Sequence, residues 1–79
     1  MFPEDLDDLF PLDSGKVVER ETEVRGIRYK VTLIGIGNHV THMKISKGLK
    51  PTTVFERREI ERAQANMAWR QYVVAEDGL

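Results

Sequence analysis

The chain has 79 residues, a formal net charge of −1 and no cysteine, so disulfides and zinc–thiolate sites are excluded. A chain of this length forms one domain, which buries only about 60–65% of the surface exposed by its unfolded form. Its stability margin is therefore small, and a deep catalytic cavity would compete with the core for apolar side chains.

The charges are segregated along the chain, with an acidic N-terminal extension ahead of a basic body. Residues 1–15 carry −5, residues 16–70 carry +6 and residues 71–79 carry −2. Such segregation suggests an electrostatic partner, either within the chain or outside it. We therefore divide the sequence into residues 1–15, flexible or folded back, and one domain formed by residues 16–79.

The N-terminal extension also has an apolar pattern. Leu6, Leu9 and Phe10 follow the i, i+3, i+4 spacing that places side chains on one side of a helical turn. Asp7 and Asp8 then lie on the other side. A segment this short is not helical alone and needs something to fold against.

Residues 1–5 show neither the basic nor the apolar region of a secretory signal. Apolar runs reach only a few residues, as at 31–34, where about 20 are needed to span a bilayer. We expect a cytoplasmic protein, or one of the host-cell cytoplasm if a phage encodes it, with no membrane contact.

A β-hairpin is predicted next, with strands over residues 16–25 and from Ile27 onward. Apolar and polar residues alternate after Ile27, which is typical of a half-buried strand. A two-residue turn at Arg25-Gly26 places Val24 opposite Ile27. The same register places Thr22 opposite Tyr29, and it also pairs Glu23 with Arg28 and Glu21 with Lys30.

A turn at 35–38 leads into a third strand over residues 39–46, with Met43 and Ile45 on one face and His42 and Lys44 on the other. After a loop at 47–51, the pattern Thr53-x-x-Glu56 predicts a capping box. We expect a helix from Val54 to Val74. The predicted fold is α+β: a three-stranded antiparallel sheet packed on one long C-terminal helix, in the order β-β-β-α.

The sequence shows no constellation typical of catalysis or metal binding. His39 and His42 are the only histidines, and at i, i+3 on a strand they point to opposite faces. The glycines at 35 and 37 lack the third glycine and the βαβ context of a dinucleotide-binding loop. We therefore predict no metal, no cofactor and no enzymatic activity.

Two apolar stripes run along the predicted helix on opposite sides. The stripe expected to pack on the sheet consists of Ile60, Ala63, Met67 and Val74. The second consists of Phe55, Trp69, Tyr72 and Val73, with Arg58 and Arg62 among them. Because one sheet covers only one side of a helix, the second stripe must meet the N-terminal extension, a second copy of the chain or a foreign partner. The first alternative would make the extension structural or autoinhibitory.

The main functional hypothesis is regulatory or inhibitory protein–protein interaction, of the kind performed by small accessory proteins of bacteria and phages. Trp, Tyr and Arg are enriched at interface hot spots, and an acidic segment with spaced Leu and Phe suits a basic, apolar groove. The candidate contact residues are Leu6, Asp7, Asp8, Leu9, Phe10, Arg58, Arg62, Trp69 and Tyr72. A homodimer through the helix is included in this hypothesis.

The alternative is nucleic-acid binding through a basic sheet face. Its candidate residues are Arg28, Lys30, His42, Lys44, Lys47 and Lys50. The stretch Arg25-Gly26-Ile27-Arg28, followed by strands and by a helix with Ala63, Ala65 and Ala68, resembles in outline the plant ethylene-response-factor type of DNA-binding domain. The element order also resembles the arm-binding domains of phage integrases.

This resemblance implies a sheet laid into the DNA major groove. The plant family's strand tryptophans are absent here, and residues 53–55 replace its Gly-Thr-Phe helix start. Glu21 and Glu23 also place acids on the face that phosphates would approach.

Overall fold

The computed structural model describes residues 4–48, 53–55 and 59–77. Three long antiparallel strands form the main sheet, and one helix packs on it. The elements are a short 3₁₀ turn at Asp7–Leu9, β1 at Val17–Val24, β2 at Ile27–Ile36, β3 at His39–Lys47, β4 at Thr53–Phe55, β5 at Ile60–Glu61 and α1 at Arg62–Asp77. The predicted α+β architecture is thus confirmed.

The register of the first hairpin is the predicted one. Val24 is opposite Ile27 and Thr22 is opposite Tyr29. Arg25 and Gly26 both have positive φ, at 53° and 80°, as a two-residue hairpin turn of the type I′ kind requires. Because the turn length fixes the pairing, every side chain of β1 has its face determined by this turn.

β2 and β3 pair along most of their length, with a bulge at Thr41. Ile34 is opposite His42 while Gly35 is opposite Val40, so Thr41 is the additional residue. Its hydroxyl donates a hydrogen bond to the Ile34 carbonyl oxygen at 3.1 Å. A Cβ at position 35 would lie 2.0 Å from the His39 carbonyl oxygen, so this bulge requires glycine.

The helix begins later than the sequence predicts. Thr53–Phe55 is a strand that pairs with β3, and Ile60–Glu61 is a second short strand on β3. The capping-box prediction at Thr53 is therefore wrong, and the composition of Thr53–Phe55, with β-branched and aromatic residues, is typical of a strand. The Gln64 side chain instead accepts a hydrogen bond from the Glu61 backbone N–H at 2.9 Å, next to the observed start of α1.

The core lies between the sheet and α1. The sheet contributes alternate residues, among them Tyr29, Val31, Leu33, Met43 and Ile45, all buried. The helix contributes Ala65, Trp69 and Val73, with Ala68 and Tyr72 packed at the edge. The Tyr29 ring meets the rings of Trp69 and Tyr72 edge-on, at centroid distances of 5.6 and 6.2 Å, and each such pair stabilises by about 0.5–1.5 kcal/mol beyond its buried area.

The assignment of the two helical stripes was wrong. Trp69 and Val73 face the sheet, whereas Ala63 is exposed and Met67 keeps 59% of its surface in solvent. Ile60 is not in the helix, so it does not set the phase of the wheel. The stripe at i, i+3, i+4, i+7, i+8 from Ala65 is the one that the sheet covers.

Candidate functional site

The N-terminal segment, residues 4–15, lies across α1 and the end of the sheet. The Trp69 indole N–H donates to the Glu4 carbonyl oxygen at 2.9 Å. The Leu6 backbone N–H donates to Asn66 Oδ1 at 2.7 Å, and Asn66 Nδ2 donates to Asp7 Oδ1 at 2.8 Å. One helical amide thus orients the segment at two neighbouring positions.

The far end of the segment is held by the sheet. Leu12 forms an isolated antiparallel bridge with Gly37, with both N–H···O distances at 2.8 Å. Leu12 is itself buried in the core. The segment therefore closes the open end of the space between the sheet and α1.

Arg20 and Arg62 hold the acidic side of the segment. The Arg20 side chain keeps only 18% of its surface exposed and pairs with Asp8. It also donates to the Asp5 carbonyl oxygen at 3.3 Å, and Arg62 Nε lies 3.6 Å from Asp7 Oδ1. The acidic extension and the basic body meet within one chain.

These contacts place the predicted protein-binding residues against one another. Leu6 and Trp69 are 0% and 1% exposed, so neither offers a surface in this conformation. Leu9, Phe10 and Tyr72 are partly buried against the same core. Arg58 lies outside the described residues. In this structure the extension folds back onto α1.

The Asp8–Arg20 pair predicts a pH dependence. The hydrogen bond from Arg20 holds the pKa of Asp8 below its usual range. A depressed folded-state pKa stabilises the fold above the unfolded-state value of about 4, and this stabilisation is lost as the pH falls through the folded-state value. We expect Asp8→Asn to lower the thermal midpoint slightly at about pH 7, and we expect this difference to shrink as the pH falls below about 4 and through the folded-state value.

The measurement is thermal unfolding of the two proteins across this pH range at low salt, because the pair is exposed on the Asp8 side and screened by ions. A difference between their midpoints that does not shrink as the pH falls would contradict the assignment.

The opposite face of the sheet is covered by none of the described segments. We call it the outer face; it consists of Val17, Glu19, Glu21 and Glu23 from β1, Arg28, Lys30, Thr32 and Ile34 from β2, and His42, Lys44 and Ser46 from β3. The register aligns these residues in rows across the strands. One row reads Glu19, Thr32 and Lys44, and the next reads Val17, Ile34 and His42.

Ion pairs occupy the β1 side of the outer face. Glu21 pairs with Arg28 at 3.6 Å and Glu19 with Lys30 at 3.3 Å. The register places Glu21 opposite Lys30, so both bonds run diagonally rather than straight across. Within the described residues, no carboxylate contacts Lys44, so the β3 side of the outer face is more positive than the β1 side.

The proposed nucleic-acid set is therefore divided. Arg28 and Lys30 are paired with glutamates. Lys47 donates to the Glu76 carbonyl oxygen at 3.0 Å, near the C-terminal end of α1, where a cation is favoured by the helix dipole. His42 and Lys44 project from the outer face, and Lys50 lies outside the described residues.

A shallow concavity of about 310 Å³ lies on the outer face. Its lining residues are Val17, Glu19, Lys30, Thr32, Ile34, His42, Lys44 and Ser46. Neither Val17 nor Ile34 is among the binding residues predicted from the sequence, although Val17 is 58% exposed. Each of these two residues is apolar at a position where the alternating pattern is otherwise polar, and their strands pair with each other. This combination is the missed signal.

The two histidines have different surroundings. His39 lies near two carboxylates, with its Nδ1 3.1 Å from Glu61 Oε1 and its Nε2 3.9 Å from Glu59 Oε2. His42 contacts the Thr41 hydroxyl at 3.2 Å. Among the described residues, no group of three or more His, Asp or Glu side chains is arranged to hold a metal ion.

Comparisons with known protein families, with curated proteins and with solved structures find no match for this chain. In the part of the chain that the structure describes, no helix is both long and apolar enough to cross a membrane.

Proposed function

We propose that this chain is a non-catalytic binding protein that contacts another protein through the outer face of its sheet, in a regulatory or inhibitory role. The observation that supports the proposal is the open concavity, where exposed Val17 and half-buried Ile34 lie beside Lys44. Apolar residues on an otherwise polar and uncovered face are typical of protein–protein contacts.

The charge of this face favours a protein over a nucleic acid. Three glutamates of β1 balance Arg28, Lys30 and Lys44, so the outer face has no net formal charge when histidine is neutral. Binding to a phosphate backbone relies on several uncompensated cations, because each neutralised phosphate contributes to affinity. Nucleic acid is thus the second candidate, and the test below includes it.

The test is capture from a cell extract with the intact chain, with Val17→Glu and with Met67→Glu as baits. Val17 and Met67 have similar exposure, at 58% and 59%, but lie on the outer face and on the solvent side of α1. We expect wild type and Met67→Glu to capture the same protein in similar amounts. Val17→Glu should capture at least about tenfold less of it. Quantitative mass spectrometry measures the loss.

Two other outcomes would change the conclusion. A partner lost with Met67→Glu alone would move the contact to α1, and sedimentation would then show whether that partner is a second copy of the chain. Duplex DNA that is retained at low salt, released by added salt and lost with Lys44→Glu would instead support the nucleic-acid reading.

A further inference from the structure

We infer that the concavity on the outer face takes an extended acidic segment of the partner protein, one that carries an apolar residue and a carboxylate at alternate positions. This inference rests on the proposed function and specifies the chemistry of its partner. It starts from the charges that the face leaves uncompensated.

The carboxylate subsite lies at Lys44. Lys30, the other lysine of the concavity, is already paired with Glu19 at 3.3 Å. Lys44 contacts no carboxylate among the described residues, and it is flanked across the strand by Thr32. The Lys44 ammonium and the Thr32 hydroxyl both supply hydrogen-bond donors, and one carboxylate can accept from both. The negative charge of the nearby Glu19 disfavours a more highly negative group, such as a chain of phosphates.

The apolar subsite lies at Val17 and Ile34, which are opposite each other on β1 and β2. Ile34 is opposite His42, so Lys44 is its diagonal neighbour on β3. Diagonal neighbours in an antiparallel pair are about 7–8 Å apart. Alternate residues of an extended segment have almost the same separation, at about 3.4 Å per residue. An acidic and an apolar residue at alternate positions of a strand would therefore reach both subsites.

The experiment is selection from a displayed library of random linear peptides on the immobilised full-length chain. Enriched peptides are then synthesised with a fluorescent label and titrated by anisotropy against wild type, Lys44→Glu, Val17→Glu and Arg70→Glu. Arg70→Glu makes the same charge reversal as Lys44→Glu, but on the exposed side of α1 and away from the outer face.

We expect enrichment of peptides in which Asp or Glu is separated by one residue from Leu, Ile, Val or Phe. Their affinity should fall at least about tenfold with Lys44→Glu and with Val17→Glu, and less than about twofold with Arg70→Glu. Added salt should weaken binding to wild type, because the carboxylate contact is exposed.

The two proposals fail in different ways. Enrichment of basic or uncharged peptides that still lose affinity with Val17→Glu would overturn the acidic partner and leave the outer face as the binding surface. Peptides that bind all four proteins equally, or no enrichment at all, would overturn both. Thermal midpoints of each variant, measured alongside, confirm that the losses come from a folded chain.

Discussion

We expect Trp69→Ala to lower the free energy of unfolding by about 3–5 kcal/mol, the largest effect of any single substitution considered for this chain. Trp69 is 1% exposed, its ring packs edge-on against Tyr29, and its indole N–H bonds to the Glu4 carbonyl oxygen. Truncation removes the buried surface, leaves a cavity and removes the hydrogen-bond partner of a main-chain carbonyl. A domain of this size has only about 4–12 kcal/mol of stability in total.

Urea unfolding followed by circular dichroism measures this loss, since the variant has no tryptophan to observe. Met67→Ala is the matched control on the same helix, because Met67 is 59% exposed, and its expected effect is below about 0.5 kcal/mol. An unchanged urea midpoint for Trp69→Ala would show that the indole is not part of the core. The result would then favour the hypothesis that Trp69 contacts a partner.

The second large effect is expected from Leu6→Ala, at about 2–5 kcal/mol. Leu6 is 0% exposed although it belongs to the acidic N-terminal segment, and its backbone N–H bonds to Asn66. The segment therefore supplies part of the core rather than an accessory arm. We expect one cooperative transition, shifted to lower urea, with Trp69 fluorescence and circular dichroism changing together.

Leu9→Ala provides the comparison within the same segment, because Leu9 is only partly buried, and it should cost less than Leu6→Ala. Acrylamide quenching of Trp69 distinguishes the two roles that the sequence left open for this segment. If Leu6→Ala made the indole accessible while the sheet stayed folded, the segment would be a separable latch with an autoinhibitory role, and its assignment to the core would be wrong.

Local rules predicted the first hairpin because its information lies in adjacent residues. Arg25-Gly26 fixes the turn, and the alternation after Ile27 agrees with the register that this turn sets. The buried and exposed faces of β2 and β3 follow from the same alternation, as Met43 and Ile45 inside and Lys44 outside show. The turn and the alternation are independent signals, and both agree with the same strand register.

The helix start and the choice of its buried side required tertiary information. Thr53 matches a capping-box pattern, but pairing with β3 decides the conformation of Thr53–Phe55. Including Ile60 in the helix also shifted the expected stripe towards Met67. The stripe of Ala65, Trp69 and Val73 includes small residues, and its burial depends on a segment about 60 positions away.

The concavity on the outer face was missed for a related reason. Arg28 and Lys30 predicted a basic surface, whereas diagonal ion pairs with Glu21 and Glu19 neutralise it. Val17 and Ile34 are unremarkable in sequence because strands contain many β-branched residues. Only the strand pairing shows that they lie side by side in one concavity with Lys44.

The bonds that join the N-terminal segment to α1 connect positions 60 and 65 residues apart, whereas the hairpins join neighbours. Because contacts between distant positions form slowly, we expect the strands to assemble early and this closure to come late. Time-resolved tryptophan emission after dilution from urea should therefore follow this late closure, because the Trp69 indole bonds to the N-terminal segment. Substitutions at Leu6 should accordingly speed unfolding more than they slow refolding.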